Sequence, residues 1–156
     1  MTQKDRERIV RRHLYRYALY VRELRQYEQA VFGAPQHDGT GVRGSEISDP
    51  TARSGIALAD PPPSLDQHRR WIDAIDAAMN ELAGMDGTDG QGYVYICTRM
   101  FRLDGQRHKR RENRDTALKI AIDCNLSVRA MYDRAGTIIN TVIYHAAKAG
   151  LFEAKE

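Results

Sequence analysis

The chain of 156 residues is long enough for one sizeable hydrophobic core, or for one small domain with an extension. Its 42% hydrophobic and 29% charged content excludes a disordered chain, and a net charge of only +3 means that any affinity for polyanions must come from clustered cations. No apolar run approaches the roughly 20 residues of a membrane span, and the charged start MTQKDRERIVRR lacks the apolar core of a signal peptide, so a cytoplasmic protein without a membrane partner is expected.

Asp5 to Phe32 carries a helical pattern free of Gly and Pro. Val10, Leu14, Tyr17, Val21, Leu24 and Val31 repeat at spacings of four and three, with Glu28 in the remaining position, which makes a narrow apolar seam. The other faces hold Arg6, Arg8, Arg11, Arg12, Arg16, Arg22 and Arg25. These read either as a solvated face or as a surface for phosphates.

Gly33 and Pro35 end this pattern, and from Ala34 to Ser64 the composition shifts to Gly, Pro, Ser, Asp and Thr. So long an irregular connection predicts a linker. Inside it, Asp49 can cap a short helix with Pro50 at its first position, and Pro61-Pro62-Pro63 stiffens the approach to the next helix. That helix, capped by Ser64 or Asp66, runs to about Ala83. Its seam is Ile72, Ile75, Met79 and Leu82, with Trp71 beside it. The two seams predict an antiparallel helix pair, or a dimer in which each seam meets its own copy.

The stretch GMDGTDGQG from Gly84 to Gly92 reads as a hinge. It lacks the bidentate Glu that a calcium loop requires. Tyr93 to Leu103 has strand-like composition, but no partner strand exists elsewhere and Val94, Cys97 and Met100 or Phe101 share one helical face. A helix ending at Asp104-Gly105 is therefore expected. Cys97 and Cys124, each in apolar surroundings, read as small core residues in a reducing compartment, with a disulfide as the other reading and no metal-site spacing.

A basic run from Arg107 to Arg114 leads into the stretch from Asp115 to Gly150. Ala117, Leu118, Ile120, Ala121 and Ile122 form a first helix. Asn125 suits a left-handed turn position, and Ser127 is a good N-cap for a second, longer helix. Leu126 and Met131 can close a hydrophobic staple around that cap. Ile138, Ile139, Val142, Ile143 and Ala146 continue its core face to Gly150, a C-cap, after which Leu151 and Phe152 can fold back. Helix, tight turn, helix is the outline of a helix-turn-helix, in which the second helix enters the major groove by its first turns. Any helical bundle can also hold two helices joined by a short turn.

The expected fold is thus all-α. Residues 1–84 form a helical hairpin with an irregular linker at 33–64, residues 85–92 a hinge, and residues 93–156 a helix-turn-helix domain.

The segment Ser48-Asp49-Pro50-Thr51-Ala52-Arg53, the pair Trp71-Ile72 and the run from Ala121 to Ala135 carry a family resemblance. The last third resembles the region-four helix-turn-helix of sigma factors. The whole order is similar to phage late-gene transcription regulators of the RinA/ArpU type, over about two-thirds of the chain. The resemblance implies a regulator that binds double-stranded DNA; a separate reading is a protein-binding helical module whose basic faces meet an acidic partner such as RNA polymerase. The resemblance also implies that the turn ends at Ser127 and that Tyr132 and Arg134 lie on the recognition helix. The charged run from Gln106 to Asn113 and the acidic Asp133 depart from that pattern.

Chemistry assigns the remaining roles. Arg129 is the first candidate for reading a base, at guanine, and Val128 for contact with a thymine methyl or a sugar. Tyr132 and Arg134 suit the backbone or base edges, although the Tyr132 ring can equally pack on its own domain. Lys109, Arg110, Arg111 and Arg114 suit phosphates. No catalytic grouping is recognisable. The histidines His13, His37, His68, His108 and His145 are scattered, and no phosphate-binding Gly loop with a following Lys occurs, so no enzyme, metal or cofactor is expected. A different class remains open: the DNA-binding small subunit of a phage packaging terminase, which also joins a helix-turn-helix to an oligomerising hairpin.

Overall fold

The computed structural model describes residues 1–32, 61–85, 92–105 and 113–152, with the side chains of 113–115 excepted. Most of the expected 33–64 linker, the Ser48–Arg53 element, hinge residues 86–91 and the basic run through residue 112 lie outside the described residues. Within the described residues the chain is all-helical. The helices are α1 (Gln3–Phe32), α2 (Pro63–Met85), α3 (Tyr93–Phe101), α4 (Asn113–Asp123) and α5 (Val128–Lys148).

Helix α1 starts two residues before the expected position because Thr2 and Asp5 build a reciprocal cap. The Asp5 backbone N–H donates to Thr2 Oγ1, and the Thr2 N–H donates to the Asp5 carboxylate. These bonds from Thr2 hold the Asp5 carboxyl below its ordinary range. Helix α2 begins at Pro63 rather than behind a cap at Ser64 or Asp66. Proline has no N–H to leave unmet at a helix start, and its φ is already helical, so the boundary moves forward and both polar residues fall in the first turn.

The seam on α1 is wider than its sequence spacing implies. Val10 and Leu14 are fully buried, and Tyr20, which lies off the seam, is buried as well. A second stripe through His13, Tyr17 and Tyr20 meets α2. The His13 ring stacks on Trp71 at 3.8 Å and 6°, and the Tyr20 ring stacks on His68 at 4.1 Å and 16°. The Tyr20 hydroxyl lies 2.8 Å from His13 Nδ1, and the Tyr17 hydroxyl donates to Asp76 at 2.7 Å. On α2 the buried residues are Trp71, Ile72, Ala74, Ile75, Ala78 and Leu82, with Met79 only partly covered.

Helix α3 is helical as its pattern predicts, but its buried face is Ile96, Cys97 and Phe101, while Val94 and Met100 are half-exposed. It stops earlier than Asp104-Gly105, at Arg102, which takes the left-handed conformation at φ 60°. The Leu103 N–H then returns to the Thr98 carbonyl.

Helix α5 packs against each of the other four helices. Ile138 and Val142 on it are fully buried, and residues of all five helices meet in one continuous hydrophobic core. Gly150, at φ 67°, closes α5 with bonds from Gly150 N to Ala147 O and from Leu151 N to Ala146 O. The chain then folds back as expected: the Phe152 ring meets the edge of Trp71 at 6.0 Å, and Arg6 lies over its face. Cys97 and Cys124 are not joined in a disulfide.

Candidate nucleic-acid interface

The joint between α4 and α5 is fixed by local chemistry. Asn125 takes φ 54°, a region where an L side chain normally costs about 1–2 kcal/mol and Asn is among the better tolerated. The Leu126 N–H reaches back to the Ala121 carbonyl at 2.8 Å, and the Asn125 N–H to that of Ile122 at 2.9 Å. These two bonds satisfy carbonyls that the end of α4 would otherwise leave open. Two residues later Ser127, in extended conformation, accepts the Ala130 N–H on its hydroxyl at 3.1 Å and opens α5. Leu126 packs on the core beside the buried Met131, so the apolar pair expected to flank the cap is on the inner side.

A brace from α3 holds this joint. The Tyr95 hydroxyl donates at 2.7 Å to the carboxylate of Asp123, the last residue of α4. That bond, with some burial, holds the Tyr95 phenol above its ordinary range.

The first turns of α5 divide sharply. Met131 and Ala135 face the core. Val128 and Tyr132 stand outward at 38% and 52% exposure, one helical turn apart on a common stripe. Arg129 and Asp133 are exposed beside them, and Arg129 makes no ion pair among the described residues. Arg134 is placed differently from its neighbours: it is half-buried, with its guanidinium 5.3 Å from the centre of the Tyr93 ring. Of the sequence-derived residues, Ser127, Val128, Arg129 and Tyr132 therefore come together at one helix start, while Arg134 lies against α3. Lys109, Arg110 and Arg111 lie outside the described residues. Arg114 is on α4 by its backbone, and its side chain lies outside them.

Sequence reasoning missed the outer face of α4. Leu118 and Ile122, one turn apart, are 52% and 66% exposed, and Lys119 is exposed beside them. The signal was present: apolar residues at 117, 118, 120, 121 and 122 surround the helix, which is more than one buried face can take up.

Among the described residues no His, Cys, Asp and Glu cluster could hold a metal ion, and no helix is long and apolar enough to cross a membrane. Burial pushes the Cys97 thiol up to about 12, which leaves it protonated and unreactive at neutral pH. Compared with known proteins, the chain matches no family model, no curated protein and no solved structure.

Proposed function

We propose that the chain is a helix-turn-helix protein that reads double-stranded DNA with the first turns of α5. More particularly, it is a sequence-specific transcription regulator of the phage or prophage late-gene type, acting in the cytoplasm as a binding protein rather than a catalyst. The observation that carries this reading is the start of α5. A cap at Ser127 and a left-handed turn at Asn125 set its direction, and Val128, Arg129 and Tyr132 project from it while the rest of the helix is anchored in the core. That combination supplies what major-groove entry needs: a rigid helix, an exposed N-terminal end and an exposed guanidinium for a guanine edge.

In this reading Val128 offers an apolar contact to a thymine methyl, and Tyr132 reaches the backbone or a base edge. Lys109, Arg110, Arg111 and Arg114 supply phosphate contacts. Arg134 is better placed to fix α5 on α3 than to read a base, because its cation is spent over Tyr93. The basic helix faces also suit an acidic protein partner such as RNA polymerase.

The test is a fluorescence-anisotropy titration of the whole chain against duplexes from its own genomic neighbourhood and against random duplex, at two salt concentrations. Tighter binding to one local segment that survives the higher salt is the expected outcome. Equal, salt-erased binding to all duplexes would overturn sequence-specific reading.

A further inference from the structure

A second basic feature lies away from the start of α5. The later half of α1 and the end of α3 enclose an open groove of about 880 Å³. Arg22 and Arg25 of α1 and Arg102 after α3 line it, with Gln26 and Gln29 beside them and Asp104 as the one carboxylate among the described residues of its wall. Arg22 and Arg25 are exposed and make no ion pair among the described residues. Arg102 occupies a left-handed position where glycine would carry no strain. Its loop is held to α1 at close range. The Gly105 N–H donates to the Arg102 carbonyl at 2.9 Å, and a Cβ at Gly105 would stand 3.5 Å from the Ala18 Cβ.

We infer that this groove binds phosphate groups, and that their source is the backbone of the duplex whose bases α5 reads. Guanidinium groups bind phosphate through paired N–H donors, and three of them against one carboxylate leave the groove cationic at every physiological pH. Gln26 and Gln29 add amide donors for oxygen ligands to a wall that also includes Tyr15, Leu19 and Val21. Distance favours the duplex as the source. The nine residues of α3 advance about 13 Å, from Tyr93 under Arg134 to the loop that carries Arg102. That span, from the anchor of α5 on α3 to the groove, is shorter than the width of one duplex. The assignment to duplex rests on the DNA-binding reading; the assignment to phosphate does not.

The experiment compares the whole chain with the double variant Arg22→Gln/Arg25→Gln, both checked for an unchanged thermal melt. Each is titrated with random and local duplex over a series of salt concentrations, and separately with tripolyphosphate by calorimetry. The expected result is a salt slope smaller by up to about two and binding at low salt weakened roughly tenfold on both duplexes, with the ratio between them unchanged. Arg22→Lys/Arg25→Lys should restore most of the slope. Tripolyphosphate binding that the glutamine variant abolishes, with the duplex slope unaltered, would keep the phosphate site and overturn the duplex as its source. No change in either titration would overturn the site itself. Because the ratio between local and random duplex reports on α5, a chain with no such ratio but a reduced slope would fail the base-reading proposal and support the groove.

Discussion

The guanidinium of Arg134 lies 5.3 Å from the centre of the Tyr93 ring, which ties α5 to the first residue of α3. Arg129, little more than one turn earlier on the same helix, is exposed and has no such partner among the described residues. The two arginines therefore stand in different environments, one exposed and one held against a ring. Arg129→Ala should weaken specific duplex binding by roughly 1–3 kcal/mol and leave random-duplex binding nearly unchanged. Arg134→Met should instead lower stability by about 0.5–1 kcal/mol, the contribution of a cation held over an aromatic face. Parallel duplex titrations and urea melts of the two variants separate these effects. Identical behaviour of the two would refute the division.

The turn before α5 depends on a backbone conformation. Asn125→Ala should cost about 1 kcal/mol, because alanine pays the left-handed penalty without the local hydrogen bonding that asparagine offers. Asn125→Gly should be close to neutral. Ser127→Ala should cost about 1 kcal/mol through loss of the bond to the Ala130 N–H. Chemical denaturation of the three variants gives the order directly, and an Asn125→Gly variant less stable than Asn125→Ala would contradict it.

Protonation of His13 should be coupled to unfolding. Burial first, then Arg12, Arg16 and His68, holds its pKa down to about 4 against an ordinary 6.5. Its ring faces Trp71 on one side, and its Nδ1 faces the Tyr20 hydroxyl. Above pH 6.5 the ring is neutral in both states and contributes no pH dependence. Between 6.5 and about 4 the unfolded chain binds a proton that the folded chain resists, so stability falls as pH falls and levels off below. The advantage of the natural protein over His13→Phe in melting temperature should therefore shrink from pH 7 to pH 4. A constant difference across that range would exclude the coupling.

Neighbouring isoleucines on α4 should respond in opposite ways. Ile120 is 2% exposed and Ile122 is 66% exposed. Ile120→Ala should cost about 2–4 kcal/mol, since it removes buried methyl groups and leaves a cavity. Ile122→Ala should change stability by no more than about 0.5 kcal/mol. Equal losses at both positions, measured by thermal or urea melts, would mean that the outer face of α4 is covered.

Local chemistry made much of the molecule legible from the sequence. The absence of Gly and Pro across α1, the left-handed turn at Asn125, the cap at Ser127 and the stop at Gly150 act within a few residues, so each could be read from its neighbours. The all-helical class followed from apolar spacing, because 3.6-residue periodicity reports which face each helix buries, and, for Tyr93 to Leu103, from the lack of a partner strand. Other features depended on which helices meet. Tyr20 is buried only because His68 and His13 on two elements cover it. The inner face of α3 took in Ile96 and left Val94 half-exposed because α1, α2, α4 and α5 all pack on it. Arg134 was drawn from the exposed end of α5 by a ring 41 residues earlier in the chain. Contacts between residues so far apart leave no periodic trace, since their energy comes from tertiary packing. Tertiary packing likewise decided that Arg22 and Arg25 of α1 and Arg102 line one groove.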